Sequence, residues 1–225
     1  PDQRVIVVVG AAGTQEYGTQ FAEWAEQWRM ASSHTDFSYI GPTGLSDLIG
    51  DDTLEESPPA DDWEQTSDRD QLQQQLTEIA DQPEMSELWL VLIGHGTFDG
   101  QRAKFNLRGK DLLATELAEW IQPLKQRIIV INGASCSGPF INAISGPNRI
   151  IVASTRSGFE YNFSRFGGFM AAAISDQAND LDKDGQISLL EAFCSASQSV
   201  DAVYQQDNRL ATEHSLIDDN GDERG

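Results

Sequence analysis

Basic residues are scarce in this chain, and their scarcity excludes whole classes of partner. The 225 residues include 15 Lys and Arg against 36 Asp and Glu, so the formal net charge is −21. Binding to nucleic acid depends on basic side chains that neutralise phosphates. We therefore expect no nucleic acid among the partners, and the same deficit disfavours docking on anionic lipid.

Cysteine and long apolar runs are nearly absent as well. Only Cys136 and Cys194 occur, so no disulfide framework holds the fold. No apolar run approaches the roughly 18 residues that a membrane-spanning helix needs, and we expect no membrane span. The hydrophobic fraction is nevertheless 39%, with ten Phe and five Trp, which is too apolar for a disordered acidic tail. This length fits one domain, or one domain with a small appendage.

Four apolar runs rich in β-branched residues have the pattern of strands buried on both faces. They occupy residues 5–9, 87–93, 127–131 and 149–153, and residues 37–40 and 103–107 are predicted as a short strand and a hairpin arm. Stripes of apolar residues at helical spacing lie between them, at 21–28, 72–79, 113–121 and 166–174. This alternation predicts an α/β protein, a three-layer α/β/α sandwich with a mostly parallel sheet.

The predicted organisation is one domain over residues 1–175, with residues 176–225 packed on it. Residues 51–70 carry nine acids and one base around Pro58 and Pro59. We interpret this stretch as an exposed loop rather than a domain boundary, because the strand–helix alternation resumes after it.

The most specific local pattern is an acidic loop, DLDKDGQISLLE, at residues 180–191. It has the spacing of an EF-hand, with oxygen donors at positions 1, 3, 5, 7, 9 and 12 and glycine at position 6. The predicted ligands are Asp180, Asp182, Asp184, Gln186 through its carbonyl, Ser188 and Glu191. Ile187 stands where such a loop turns an apolar side chain inward. We predict a structural calcium ion that stabilises the C-terminal helices by binding only to the native state. The alternative is a solvated acidic turn.

A second acidic cluster lies at residues 218–222. Asp218, Asn220 and Asp222 have ligand spacing, but Glu223 stands where glycine is expected and no position-12 carboxylate follows. We expect a polar tail here rather than a calcium site.

Two predicted strand ends carry nucleophile chemistry. One places His95 between Gly94 and Gly96, and the other places Ser135 and Cys136 in a turn of small residues. Ligand sites of open α/β sheets lie at the carboxyl ends of strands, and a thiol or hydroxyl beside an imidazole is the minimal arrangement for acyl transfer. The N–H groups of Gly96 and of the nucleophile would form an oxyanion hole. The alternative is that His95 caps a strand and Cys136 is a small buried hydrophobe.

The order of these motifs resembles a known family. VLIGHG and RIIVINGASCSG are similar to the two catalytic strands of the caspase-like cysteine peptidases, most closely of the legumain branch. VVVGAAGTQEYGTQFAEWA resembles the first strand and helix of that family, and FNLRGKDLLATELAEWI the segment between its catalytic strands. The resemblance covers residues 5–169. It implies a legumain-like cysteine-type endopeptidase with a peptide or protein substrate and His95 as general base.

The nucleophile departs from the family pattern. In that family one residue separates the cysteine from Ser-Gly, and a gapless match puts Ser135 in its place. Three outcomes stay open: a shifted turn that presents Cys136, a Ser135 hydroxyl nucleophile, or a pseudopeptidase that binds peptide without cutting it, stabilised by calcium. We favour the Cys136 thiol, because a thiol is the better nucleophile at neutral pH, although the gapless motif favours Ser135.

The specificity pocket departs as well. Legumains carry an Arg-His pair after the tyrosine of the first loop, but Tyr17 is followed by Gly18 and Thr19. We expect Arg156 or Glu160 to set the pocket charge, with Glu160 favouring a basic residue before the cut. The alternative is a surface ion pair between them.

Other classes fit less well. A serine α/β-hydrolase would use a GASCS turn one residue short of G-x-S-x-G and His214 as base, although we expect His214 to be solvated in a polar tail. The GAAG loop at residues 10–13 lacks dinucleotide-binding spacing, and the three histidines lack zinc-ligand spacing. The calcium loop and the acidic surface favour an extracytoplasmic compartment.

Overall fold

Strands and helices alternate along the chain in the computed structural model, which describes residues 2–42, 67–82 and 85–225. The strands are β1 (Gln3–Val9), β2 (Asp36–Ile40), β3 (Glu87–Ile93), β4 (Gly96–Phe98), β5 (Ala103–Phe105), β6 (Leu112–Leu113), β7 (Arg127–Asn132), β8 (Arg149–Ala153) and β9 (Leu216–Asp218). The helices of the described residues are α1 (Gln15–Ala31), α2 (Asp68–Ala80), α3 (Ala114–Ile121), α4 (Gly138–Ile144), α5 (Phe166–Ala173) and α6 (Leu189–Gln206).

A six-stranded, mostly parallel sheet organises the molecule. Its strand order is β2-β1-β3-β7-β8-β9, with every neighbouring pair parallel except β8 and β9. The predicted α/β class and mostly parallel sheet are therefore confirmed. Because parallel strands end at the same edge of a sheet, the segments that follow β1, β3, β7 and β8 gather there. We call this the strand-end edge.

Each face of the sheet carries its own core. Val8, Leu90 and Val130 point to one face, where they pack with α2, α3 and α4. Their neighbours Val7 and Val91 point to the other face, where they pack with α1, α5 and α6. Alternate residues of a strand point to opposite faces, so strands buried on both faces become continuous apolar runs. The arrangement is compatible with a three-layer α/β/α sandwich.

The chain after His95 forms a small second sheet. β4, β5 and β6 pair antiparallel in that order, with Gly96 opposite Phe105. The predicted hairpin arm at residues 103–107 is thus confirmed over Ala103–Phe105. This sheet fixes the backbone of Gly96 at the strand-end edge.

Several short elements of the fold were not predicted, among them β6, one helix and the last strand. Helix α4 has seven residues, too few for a clear helical stripe, and begins directly after the Ser135–Ser137 turn. Strand β9 lies in the C-terminal stretch interpreted as a polar tail, and extends the sheet by pairing with β8. The predicted acidic loop at 51–70 lies mostly outside the described residues, and its last residues, from Asp68, belong to α2. Within the described ranges no helix is both long and apolar enough to cross a membrane.

Candidate functional site

His95 lies at the strand-end edge, two residues after β3. Its Nε2 lies 3.0 Å from the carbonyl oxygen of Ala12, in the loop that follows β1. The imidazole is surrounded by aromatic rings, with centroid distances of 4.8 Å to Tyr17, 5.2 Å to Phe21 and 5.9 Å to Phe163. A carbonyl oxygen only accepts hydrogen bonds, so Nε2 carries the proton of this bond. In the neutral ring, Nδ1 then keeps its lone pair.

Ser135 meets the backbone of Gly96 at the same edge. The Gly96 N–H donates to Ser135 Oγ at 3.4 Å, and Ser135 Oγ donates to the Gly96 carbonyl at 3.3 Å. A Cβ on Gly96 would lie 2.2 Å from the Ser135 carbonyl oxygen, so only glycine permits this approach. The residue after His95 and the hydroxyl at the end of β7 are thus in direct contact.

Cys136 follows Ser135 in the same turn. Its side chain is buried, and its backbone has a φ of 56°, the left-handed region that non-glycine residues seldom adopt. Its N–H donates to the Glu160 carbonyl at 3.0 Å. Burial raises the pKa of the Cys136 thiol, which disfavours the reactive thiolate.

A buried network of hydroxyl groups holds the turn in place. Ser137 Oγ lies 3.1 Å from both Ser154 Oγ and Thr155 Oγ1, at the end of β8. Ser154 Oγ donates to the Ala134 carbonyl at 2.5 Å, and the Asn132 side chain accepts from the Ala134 N–H at 3.1 Å. Buried hydroxyls without partners are costly, so these bonds fix the turn as a unit.

Both carboxylate oxygens of Glu160 have hydrogen-bond or ion-pair partners. Oε1 lies 2.6 Å from His214 Nδ1 and 3.2 Å from Arg156 Nε, while Oε2 accepts from the N–H groups of Arg156 and His214. The predicted Arg156–Glu160 pair exists, but the Glu160 carboxylate is only 11% exposed and is not a surface group. His214, expected to be solvated, is held by Glu160 with its side chain 40% exposed.

The fold therefore brings most of the predicted site residues to one edge. Gly96 contacts Ser135, and Tyr17 contacts His95. Within the described part of the chain, no hydrogen bond joins His95 to Ser135 or to Cys136. Sequence reasoning missed Ala12, whose only signal is its place in a strand-end loop.

Phe163 and Glu213 were missed as well. Phe163 follows the exposed aromatic residues Phe159 and Tyr161, and a recurring aromatic pattern after β8 is the only sequence signal for it. Glu213 is buried, and its carboxylate accepts from Ser164 Oγ at 2.6 Å and from two N–H groups at the start of α5. Nothing in a polar C-terminal sequence distinguishes this buried acid from its solvated neighbours.

The acidic loop at 180–191 is a separate, exposed region. One carboxylate oxygen from each of Asp180, Asp182 and Asp184 lies within 4.8 Å of the others. Asp180 also accepts from the N–H groups of Asp184 and Gly185, and Gly185 has a φ of +87°, as the sharp turn requires. Oxygen donors clustered in this way are the ligand type of hard cations such as calcium.

Glu191 closes the same loop from the first turn of α6. Its carboxylate accepts from the N–H groups of Ser188, Leu181 and Asp182 and from Ser188 Oγ. The hydrogen bonds from Ser188, ahead of the others, lower the pKa of Glu191 to about 2, so it is ionised at neutral pH. Ile187 packs against the core of α1, α5 and α6, as predicted.

Asp218 differs from the polar-tail expectation. It is buried at the end of β9, where its carboxylate accepts from Ser145 Oγ at 2.5 Å and from the N–H groups of Gly221 and Glu223. Within the described residues, the cluster that brings three acidic ligand atoms together is the one at 180–184, not this segment. Asp218 secures the edge strand.

The chain matches no known protein-family model, and no curated protein matches it. The function of the strand-end edge therefore has to be argued from its geometry.

Proposed function

We propose that this protein is an acyl-transfer hydrolase that cleaves peptide bonds at the strand-end edge. The observation that carries the proposal is the 3.0 Å contact between His95 Nε2 and the Ala12 carbonyl. It orients the imidazole with Nδ1 free to accept a proton. A base oriented by a third group, beside a nucleophile, is the recurring arrangement of covalent catalysis.

Ser135 is the nucleophile that the geometry favours over Cys136. Both residues are buried, but Ser135 Oγ exchanges hydrogen bonds with the Gly96 backbone, whereas burial raises the pKa of the Cys136 thiol and disfavours its thiolate. In the reaction, Oγ attacks the peptide carbonyl and gives its proton to His95. The Gly96 N–H, released from Oγ, stabilises the oxyanion. The leaving amine takes the proton from His95, and water then hydrolyses the acyl ester.

The proposal extends to a legumain-like peptidase with a caspase-like fold. Support comes from the order of the elements: His95 follows β3, Ser135 follows β7, and these strands are parallel neighbours in the sheet. Cys136 remains the nucleophile of a cysteine-type variant of the same mechanism, which requires the turn to shift.

We propose calcium as the structural cofactor of the 180–191 loop. The carboxylates of Asp180, Asp182 and Asp184, the Gln186 carbonyl, Ser188 and Glu191 would hold the ion. Support comes from the clustered aspartate oxygens and from the ionised Glu191 at the start of α6. Calcium neutralises a repulsive cluster there and stabilises the native loop by mass action.

A second candidate function is peptide binding without cleavage. It is favoured by the lack of any hydrogen bond from His95 to Ser135 or Cys136 among the described residues. Catalytic hydrogen bonds often tighten only when substrate binds, so the two functions differ in reactivity rather than in this geometry.

The Glu160–His214 pair favours the serine α/β-hydrolase alternative. A carboxylate 2.6 Å from Nδ1 is how a triad orients its base. Glu160 also accepts from the Cys136 N–H, so this pair is linked to the nucleophile turn.

Covalent labelling tests these alternatives. The full chain, in calcium, is treated with a fluorophosphonate and separately with peptidyl acyloxymethyl ketones, and adducts are located by intact mass and peptide mapping. We expect an adduct on Ser135 that is lost in Ser135→Ala and in His95→Gln and retained in Cys136→Ser and in His214→Gln.

The background variant is Cys194→Ser, because Cys194 is an exposed free thiol that reacts without activation. An adduct on Cys136 that needs His95 would assign the cysteine mechanism. Loss of labelling in His214→Gln with retention in His95→Gln would assign the base to His214. A folded, calcium-loaded chain with no adduct would contradict the hydrolase and leave the binding function.

A further inference from the structure

A cavity of about 580 Å³ lies between α1 and α5, next to the strand-end edge. Four aromatic residues line it, Phe169 and the neighbouring rings of Tyr17, Trp24 and Phe163. These rings pack on one another, with centroid distances of 4.5 Å between Tyr17 and Phe163 and 6.1 Å between Trp24 and Phe163. The rings of Tyr17, Phe163 and Trp24 therefore form one continuous aromatic wall.

Two of these aromatic rings also contact His95, the proposed catalytic base. Tyr17 and Phe163 each have a ring contact with His95, at 4.8 Å and 5.9 Å. One layer of aromatic rings therefore separates the cavity from the imidazole. A peptide that reacts at the strand-end edge has a side-chain site within reach on this side.

Gly168 lies beneath the Trp24 ring that lines the cavity. A Cβ at this position of α5 would lie 2.6 Å from the indole ring of Trp24, so the indole rests on the bare helix backbone. Any larger residue would displace the Trp24 ring.

The two charged residues of the cavity differ in whether another side chain pairs with them. Glu16 and Arg165 are its charged lining residues. The Arg165 guanidinium is directed to α6, where it lies 3.6 Å from Asp207 and 5.6 Å from the centre of the Tyr204 ring. Within the described residues, Glu16 has no hydrogen-bond or ion-pair partner. The cavity therefore presents aromatic faces and the Glu16 carboxylate, in a chain of net charge −21.

Glu160, which the sequence analysis expects to recognise a basic residue of the substrate, already has other partners. Both carboxylate oxygens of Glu160 are occupied by Arg156 and His214. A substrate cation at Glu160 would have to displace both partners, whereas Glu16 requires no such exchange.

We propose that this cavity is a subsite for the lysine or arginine side chain of a bound peptide. The ammonium or guanidinium group lies against the faces of Trp24 and Tyr17, which attract cations, and approaches the Glu16 carboxylate. The inference rests on the proposed function in one respect: it takes the ligand of the strand-end edge to be a peptide.

Calorimetric titration of the full chain tests the subsite without any reaction. The probes are three blocked tripeptides, Ala-Lys-Ala, Ala-norleucine-Ala and Ala-Glu-Ala, which differ in charge at one side chain. We expect the lysine peptide to bind about tenfold more tightly than the norleucine peptide, as a cation–π contact with a free carboxylate implies. Equal affinity for norleucine, or tighter binding of glutamate, would overturn the proposal.

Variants locate the effect. Glu16→Gln is expected to weaken lysine binding about fivefold and to leave norleucine binding unchanged. Ala172→Lys places a cation at an exposed lining position and is expected to weaken lysine binding further. The matched control is Glu119→Gln, which removes the same charge from an exposed position on α3, across the sheet. If Glu119→Gln weakens binding as much as Glu16→Gln, only net charge matters and the subsite is wrong.

Labelling of Ser135 is measured on the same samples, so that the two proposals fail separately. Labelling without lysine preference would overturn the subsite and leave the hydrolase standing. Lysine preference that depends on Glu16, without labelling, would support the subsite on a protein that binds peptide and does not cut it.

Discussion

The strand-end edge and the 180–191 loop are built in opposite ways. The edge is assembled from segments more than 100 residues apart in the chain, from Ala12 to Ser135, and its polar groups are fixed by buried hydrogen bonds. The loop is one contiguous stretch, exposed to solvent, whose acids bind mainly to its own N–H groups. The structure of the edge therefore depends on packing, and the structure of the loop depends on charge. Perturbations of the two should therefore be separable.

The largest expected effect comes from Gly96→Ala at the edge. The new Cβ would lie 2.2 Å from the Ser135 carbonyl, a backbone atom that cannot move aside alone. We expect the free energy of unfolding to fall by about 3 kcal/mol and labelling of Ser135 to be lost, as urea unfolding and mass spectrometry would measure.

The control for this substitution is Gly146→Ala, whose nearest contact, at 3.7 Å, is the flexible Arg149 side chain. It should change stability by less than about 0.5 kcal/mol. Calcium should raise the thermal midpoint of Gly96→Ala by as much as it raises that of the unaltered chain. A Gly96→Ala protein of normal stability would show that the close approach at the edge is not required.

We expect calcium removal to perturb the loop and not the edge. At a calcium concentration about 100 times Kd, binding to the native state would stabilise the protein by about 2.7 kcal/mol. For a chain of this size we expect the thermal midpoint to rise by about 5–10 °C over an EDTA-treated sample. Scanning calorimetry measures the shift.

Glu191→Gln should abolish most of that rise. Asp201→Asn, which removes an exposed acid from the same helix, should retain it. If calcium shifts the midpoint equally in both variants, the ion is not bound by the loop.

The smallest expected effect concerns an ion pair on the opposite face of the sheet, which serves as a reference for both regions. Arg69 lies 2.7 Å from Glu116, and hydrogen bonding to Arg69 lowers the pKa of Glu116 from its ordinary value to about 2. A lowered pKa contributes stability above the unfolded-state value, and this contribution is lost as pH falls from 4.5 towards 2.

Glu116→Gln should lower the free energy of unfolding by about 1 kcal/mol at pH 7. It should also flatten the dependence of that free energy on pH between 4.5 and 2, as urea unfolding across this range would measure. Glu26→Gln, in a fully exposed pair with Arg29, should leave the profile nearly unchanged. Neither variant should alter labelling or calcium binding. A profile that keeps its slope in Glu116→Gln would contradict the role of this pair.

Much of the fold was predictable because buried parallel strands leave a strong local signature. The runs at 87–93 and 149–153 coincide with β3 and β8, and Phe21, Ala25 and Trp28 form the buried face of α1 as their spacing predicts. Helix α4 and strand β9 were missed because they are short, and their stability comes from neighbours distant in the chain: β9 pairs with β8, and α4 packs Phe140 and Ile144 beneath the sheet.

The site was predictable only in part, for the same reason. His95, Ser135 and Cys136 were identified from glycines and small residues at strand ends, which is local information. Which hydroxyl or thiol faces Gly96 depends on the φ of 56° at Cys136 and on the Ser137 hydrogen bonds, which no pattern of residue types encodes. The partner of His95 is a backbone carbonyl, and a carbonyl has no sequence signature at all.

The sequence by itself determined the strand–helix alternation, the acidic charge and the ligand spacing of the 180–191 loop, because each depends on residues close together in the chain. Only the tertiary structure decided that Ala12 orients His95, that Ser135 Oγ meets Gly96, and that Glu160 is occupied while Glu16 has no side-chain partner among the described residues. These contacts join residues far apart in the chain, and their geometry exists only once the two cores have packed against the sheet.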